Sequence, residues 1–285
     1  MFIRDIFREN EAVVSFEIFP PKESSSYEVL SNAIAELATL NPNFMSVTYG
    51  AGGGTSKNTV NICKQVQQND ITALAHLTCV SATKKDIENI VGQFKENGIQ
   101  NILALRGDRP KGGAQQKSEY HYANELVSAL KSQGDFCIGG ACYPEGHLES
   151  KDIHEDIEHI KMKVDAGCEF LITQLYFDNA YLYRYMDLLH KKGIHIPVIP
   201  GLMPVQSAKQ VFRMCQLSGA SIPVKFQKML DKYADKPEAI AQAGIAYVTD
   251  QIIDLYANDI KGVHIYTMNK PDIAQKIVKN IDRLY

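Results

Sequence analysis

Apolar residues in this chain gather in short runs, and between the runs they recur every third or fourth position. The runs read as strands buried in a parallel sheet, and the spaced stretches as amphipathic helices laid over it. Eight runs stand out, at residues 13–18, 44–48, 72–77, 101–106, 136–142, 169–173, 196–199 and 262–266. Helices fill the intervals. Ser24 to Ser26 supply a start for a helix ending near residue 40, and the glycine cluster Gly50-Ala-Gly-Gly-Gly54 precedes one ending near 68. Thr83 opens a helix that Gly98 closes, and a polar loop at 108–118 leads into another that ends near 132. Further helices are predicted at 150–166, at 179–192 up to Gly193, in segments through about 256, and at 271–284 behind Pro271.

Eight strands alternating with helical stretches, with no shift in composition along residues 1–285, predict an α/β fold: a (β/α)8 TIM barrel in a single domain. An open dinucleotide-binding sheet would want Gly-x-Gly-x-x-Gly after its first strand, and here that strand runs into Phe19-Pro-Pro-Lys22. The later cluster Gly50-Ala-Gly-Gly-Gly-Thr55 puts threonine at the sixth position and lacks the Gly-Lys-Ser/Thr of a phosphate-binding loop.

Barrels of this kind do their chemistry at the C-terminal strand ends, so the phase of each strand matters. Side chains alternate in and out. Phe16 and Ile18 belong against the helices, which turns Ser15 and Glu17 inward. The same exercise pairs Ser46 with Thr48, Leu74 with His76, Ala104 with Arg106, Ala141 with Tyr143 and Ile172 with Gln174. Six strands thus end on an inward polar residue, with Ala104, Gly139 and Ala141 leaving room beneath. Each residue alone has a plainer reading: Thr48 as a helix cap, His76 as a satisfied core histidine, Gln174 as a loop bridge, Arg106 and Asp108 as a loop-closing salt bridge. Together they suit a large polar organic ligand at one barrel mouth. Glu17, among Phe16, Ile18 and Phe19, has an apolar setting that suits a proton-donating carboxyl, whereas Asp108, with Arg106 nearby, suits a fixed anion.

Charge and cysteine usage narrow the partners. The formal net charge is -3 with no basic tract, which argues against nucleic acid and against a membrane surface. The first residues carry acids within their apolar run and do not read as a secretory signal, and no apolar segment approaches a membrane span. Cysteines 63, 79, 137, 142, 168 and 215 are scattered without Cys-x-x-Cys, and His154 and His159 lie five apart rather than four, so no metal site is expected. A cytoplasmic location follows as the expectation.

Several of these segments resemble one family. Val14-Ser-Phe-Glu-Ile-Phe-Pro-Pro-Lys22, Ser46-Val-Thr-Tyr-Gly-Ala51, Ala75-His-Leu-Thr-Cys79, Leu105-Arg-Gly-Asp108 and Tyr143-Pro-Glu-Gly-His147 are similar to motifs of the flavin-dependent 5,10-methylenetetrahydrofolate reductases. Lys163-Val-Asp-Ala-Gly167, Thr173-Gln174, Pro200-Gly-Leu-Met-Pro204 and His264-Ile-Tyr-Thr-Met-Asn269 extend the resemblance, in order, over residues 13–270. The length resembles the bacterial catalytic barrel alone. The resemblance implies a barrel holding FAD non-covalently, which passes hydride by a ping-pong route from NAD(P)H to methylenetetrahydrofolate, a step that supplies methyl groups for methionine synthesis. It implies Glu17 as the general acid that opens the imidazolidine ring, and Asp108 as the anion near flavin and pterin. Thr48, Tyr49, Ala51, His76, Arg106, Gly107, Asp108, Tyr122, Ala123, Tyr143, His147, Asp156, His159 and Lys163 match FAD-contacting positions. Glu17, Asp108, Gln174, Gln210 and Lys270 match folate positions, with Gln174 also serving nicotinamide. Met214 stands where well-known bacterial members have a phenylalanine, and His159 and Met162 replace more polar residues. Two alternatives stay open: the same barrel reduced by a ferredoxin-linked subunit, and a non-catalytic flavin- or folate-binding barrel. Self-association as a homo-oligomer is compatible with either.

Overall fold

In the computed structural model, which describes residues 1–21, 26–49, 56–108 and 118–284, the apolar runs pair as parallel strands of one curled sheet. The strands are β1 (Val13–Ile18), β2 (Phe44–Val47), β3 (Thr72–Thr78), β4 (Asn101–Leu105), β5 (Cys137–Cys142), β6 (Phe170–Thr173), β7 (Val198–Ile199), β8 (Gly201–Leu202) and β9 (Gly262–Ile265). They follow chain order around the barrel from β1 to β7, while β8 and β9 return to the other edge of β1. Only Pro200 separates β7 from β8. β7 pairs with β6, and β8 with β9, so these two short segments act as one seventh stave and close an eight-fold barrel. The seventh run therefore extends past residue 199, where the sequence pattern ends at proline. Pro200 has no amide to give but still accepts a hydrogen bond from the His264 amide at 2.8 Å.

The helices are α1 (Ile3–Glu9), α2 (Tyr27–Ala38), α3 (Ser56–Gln68), α4 (Lys84–Glu96), α5 (Ala123–Gln133), α6 (Ile153–Asp165), α7 (Asn179–Lys191), α8 (Ala208–Ser218), α9 (Val224–Tyr233), α10 (Pro237–Ala257) and α11 (Pro271–Ile281). Local chemistry sets their starts. Thr83 and Asp86 form a reciprocal capping box at α4, and Asp152, Asp178 and Ser207 accept from the first-turn amides of α6, α7 and α8. No element is expected before residue 13, yet α1 folds under the barrel. Its Ile3, Ile6 and Phe7 join Val13, Phe44, Leu74, Leu103, Cys137, Phe170, Ile172 and Ile199 in an interior core that plugs the N-terminal end. The outward residues, Phe16, Ile18, Met45 and Val47 among them, form a separate core against the helices. None of the helices among the described residues is long and apolar enough to cross a membrane.

Two close approaches shape the upper barrel. A Cβ on Gly139 would lie 2.3 Å from Cε2 of Phe170, so the room expected beneath the ligand at this position is filled by that ring. Across the closing stave, the Tyr266 hydroxyl donates to the Thr173 carbonyl at 2.6 Å, and the Gly201 amide donates to Thr173 Oγ1 at 2.8 Å. Only a residue without a side chain fits there, since a Cβ on Gly201 would stand 2.3 Å from both Thr173 O and Tyr266 Oη.

Candidate active site

Above this plug the C-terminal strand ends open into two adjoining cavities, of about 970 and 770 Å3. The larger is lined by Glu17, Thr48, Tyr49, His76 and Gln174, and the smaller by Arg106, Tyr122, Ala123, His147, Asp156, His159 and Lys163. Gly107, Asp108 and Tyr143 belong to both walls. Glu17 and Asp108, from strands on different sides of the mouth, thus face one space. Met214 also lines the larger cavity. Ala51 lies outside the described residues. Gln210 and Lys270 do not reach either wall: Lys270 is exposed with its ammonium on the Gln206 side chain, and Gln210 is half-buried one turn before Met214 on α8.

Glu17 is buried, and its surroundings differ from the apolar setting expected of it. Oε2 lies 3.5 Å from Ser46 Oγ, 3.6 Å from His76 Nε2 and 3.7 Å from His264 Nε2. Phe16 and Ile18 point the other way, into the helix-side core, as strand alternation demands. His76 is buried, and neither ring nitrogen has a hydrogen-bond partner among the described residues. Burial pushes its pKa down to about 4, with the Glu17 carboxylate opposing that effect, so the ring is neutral at physiological pH. Gln174 folds its Oε1 back onto the Leu175 amide at 2.8 Å, and Thr48 ties the top of β2 to the Ile18 carbonyl at 3.0 Å.

The smaller cavity is a charged chamber between the tops of β4 and β5 and the starts of α5 and α6. Arg106 spans Glu149 with two bonds of 2.6 Å and makes no ion pair with Asp108, which stands exposed at the rim. Lys163 donates to the Ala141 carbonyl at 2.8 Å, and burial lowers its pKa. Burial raises that of Asp156, whose Oδ2 has no hydrogen-bond partner among the described residues. His147 packs edge-on to Tyr143 at 4.6 Å between ring centroids; burial, then the Arg106 charge, lowers its pKa. The chamber mixes signs, with Arg106 and Lys163 able to meet an anionic group and Asp108, Glu125, Glu149, Glu155 and Asp156 on the same wall able to meet donors.

Residues 2–282 match the family model described as methylenetetrahydrofolate reductase. The chain belongs to the methylenetetrahydrofolate reductase family. It is 37% identical over 265 residues to the Escherichia coli 5,10-methylenetetrahydrofolate reductase, covering 93% of this chain and 88% of that one. It is 32% identical over 294 residues to methylenetetrahydrofolate reductase (NADH) 1 of Arabidopsis thaliana, covering 98% of this chain and 50% of that one. Among solved structures, an uncharacterized Clostridium thermocellum protein that binds two copies of 5-methyl-5,6,7,8-tetrahydrofolic acid superposes with a TM-score of 0.65 at 16% identity, over 100% of this chain and 99% of that one. At that identity the likeness concerns the fold. Membership in the family supports methylenetetrahydrofolate reductase activity and makes the chain an oxidoreductase.

Set within this reductase fold, one expected strand phase is reversed. Leu103 and Leu105, not Ala104 and Arg106, turn toward the larger cavity, and Ala104 and Arg106 face the smaller one. Leu103 belongs to the interior core and Ala104 to the helix-side core, which fixes the phase of β4. Five of the six expected polar strand ends, Glu17, Thr48, His76, Tyr143 and Gln174, do share the larger cavity. His264 and Tyr266 carry no role in the sequence reading, although alternation through 262–266 turns both inward with Gly262. The structure puts His264 wholly inside the barrel beside Glu17, and Tyr266 on the cavity wall.

Proposed function

We propose that this chain reduces 5,10-methylenetetrahydrofolate to 5-methyltetrahydrofolate with hydride from NAD(P)H, by way of non-covalently held FAD and a ping-pong order in which nicotinamide leaves before folate enters. The observation that carries the reading is that Glu17 and Asp108 face one cavity that runs on, past Asp108, into a chamber lined by Arg106, Lys163, His147 and His159. The residues fit FAD: a long ligand with an anionic middle matches two cavities with a common wall, the smaller one offering Arg106 and Lys163, and Asp156 Oδ2, without a hydrogen-bond partner among the described residues, is an acceptor available to a ligand hydroxyl or amine. Arg106 and Lys163 would hold its phosphates, while Thr48, Tyr49, His76 and Asp108 would meet its ring system. Bound FAD supplies the two-electron relay between nicotinamide and folate. Glu17 donates a proton to the leaving nitrogen of the imidazolidine ring, and Asp108 stabilises the cation that forms. Gln174 orients whichever ligand occupies the larger cavity. The name of the Arabidopsis relative supports NADH as one donor. The reaction would supply methyl groups for methionine synthesis.

The purified protein is expected to be yellow, to bleach anaerobically with NADH or NADPH, and to regain colour with methylenetetrahydrofolate. Bleaching by neither nicotinamide, but by a ferredoxin-linked partner, would replace the donor in this reading. Glu17→Gln is expected to leave bleaching by nicotinamide near wild type and to slow recolouring by folate roughly 10²–10⁴-fold, the usual loss of a general acid. Equal loss in both half-reactions would refute the assignment.

A further inference from the structure

Asn269 lines neither cavity, yet its side chain grips the backbone that carries Glu17. In β1 the odd-numbered residues turn their backbone groups toward β9 and the even-numbered ones toward β2. Val13 donates to the Lys261 carbonyl at 2.7 Å, while the Val14 and Ile18 carbonyls accept from the Asn43 and Thr48 amides at 2.9 Å. Pairing with β9 stops at Phe16, opposite Ile265. The Glu17 carbonyl and both backbone groups of Phe19 therefore face a side where no strand continues. Pro20 and Pro21 follow, and neither has an amide with which to fasten the chain. Two side chains from the turn after β9 take the place of the missing ladder. Thr267 Oγ1 donates to the Glu17 carbonyl at 3.1 Å. Asn269 Nδ2 donates to the Phe19 carbonyl at 2.8 Å, and Asn269 Oδ1 accepts from the Phe19 amide at 2.9 Å. We infer that Asn269 is a positioning residue for Glu17, clamping the strand top from which that carboxyl reaches the cavity; this rests on the proton-donating role of Glu17 proposed above.

Residue type and backbone agree with this role. An N–H only donates and a carbonyl only accepts, so the Phe19 groups fix which way round the Asn269 amide lies. Mating with both takes a donor and an acceptor on one short planar group. Asparagine has them, whereas aspartate lacks the donor and glycine lacks both. Met268 and Asn269 have φ of 54° and 56°, two left-handed residues in succession, a conformation that asparagine tolerates and methionine resists. The reversal folds Asn269 back onto Phe19 and leaves Met268 on the wall of the larger cavity, where Phe19 also stands. The Lys270 amide closes the turn on the Thr267 carbonyl at 3.1 Å, and Thr267 is wholly buried.

A double-mutant cycle in the holoenzyme tests the clamp. Asn269→Gly removes both bonds while tolerating the left-handed backbone. It is expected to slow recolouring by methylenetetrahydrofolate roughly 10–100-fold, with the loss in the limiting rate rather than in the folate concentration needed, and to bleach with nicotinamide near the wild-type rate. In the Glu17→Gln background, where no donor is left to position, the same substitution is expected to cost less than about twofold. An equal cost in both backgrounds, a loss carried by folate affinity, or equal loss in both half-reactions overturns the positioning role. Hydrogen exchange of the Phe19 amide, followed in ¹⁵N-phenylalanine-labelled protein, reads the clamp without turnover. Exchange is expected to be slow in the wild type and at least about tenfold faster in Asn269→Gly. Asn269→Asp, which keeps the acceptor but sets an oxygen against the Phe19 carbonyl, is expected to hold that amide and still to lose recolouring several-fold, and it decides the matter should the glycine variant not fold. A Phe19 amide that exchanges freely in the wild type overturns the inference. Failure of the Glu17→Gln split, by contrast, strikes the reductase reading itself and leaves the exchange result standing.

Discussion

Gly139→Ala should strain the barrel interior through one identifiable ring. The new Cβ would stand 2.3, 2.4 and 3.0 Å from Cε2, Cζ and Cδ2 of Phe170, all side-chain atoms of one fully buried residue. To reach 3.4 Å, the near edge of ordinary contact, the ring must retreat by about 1.1 Å into a core already packed with Leu103, Cys137 and Ile172. Overpacking of this kind costs about 1–3 kcal/mol, and the loss of glycine's freedom in the unfolded chain returns about 0.4–1 kcal/mol. A net loss of about 1–2 kcal/mol should lower the melting temperature of a chain this size by roughly 2–4 °C. The assay is a double-mutant cycle with Phe170→Leu, read by thermal melts and urea titration of flavin-free protein. Phe170→Leu alone opens a void and destabilises, but when combined with Gly139→Ala it should be neutral or stabilising, with a coupling of about 0.5–3 kcal/mol. Additivity within about 0.3 kcal/mol would refute the reasoning, because it would mean that the methyl group displaces something other than the ring.

His76 predicts a pH dependence. Its pKa, held at about 4 in the fold against 6.5 ordinarily, means that the unfolded chain binds the extra proton first. The stability this contributes is full above pH 6.5 and is lost as pH falls toward 4, to a maximum of about 3 kcal/mol. His76→Gln should flatten the urea midpoint over that window, and an unchanged slope would assign the effect elsewhere. Glu149→Gln should release Arg106 from its two-pronged partner and tighten FAD binding roughly two- to fivefold, the modest scale of a half-exposed pair. Weaker binding on flavin titration would mean that Glu149 helps to build the site.

Alternation read the strands correctly wherever one face was polar. In β1, β3, β5 and β6, a serine, glutamate, histidine, glycine or glutamine broke the apolar run and marked the inner face. β4 offered no such mark. Ile102, Leu103, Ala104 and Leu105 are apolar on both faces, as a strand between barrel and helices can be, and the polar residue nearest the end, Arg106, turned out to serve the chamber on the other side. Its partner Glu149, far along the chain, is a matter of three-dimensional packing that no spacing announces. Gly139 was legible as small, but not the ring that fills its space, because Phe170 comes from the next strand. The same holds for His264. Its place in the alternation was readable, but its bonds to Ser15 and Ser46 depend on β9 returning beside β1, which only barrel closure brings about.

The seventh stave gives the barrel a seam. With a proline at its midpoint it offers its neighbours two short ladders in place of one continuous rail, and much of the hold between the sixth and last strands passes to side chains, to a tyrosine hydroxyl and a threonine riveted across a glycine. A hoop fastened in this way yields first at its clasp. The rim beside Gln174, Met203 and Tyr266 is thus the stretch of the mouth where small adjustments in width are easiest, and it borders the cavity that two ligands of different shape would have to enter in turn.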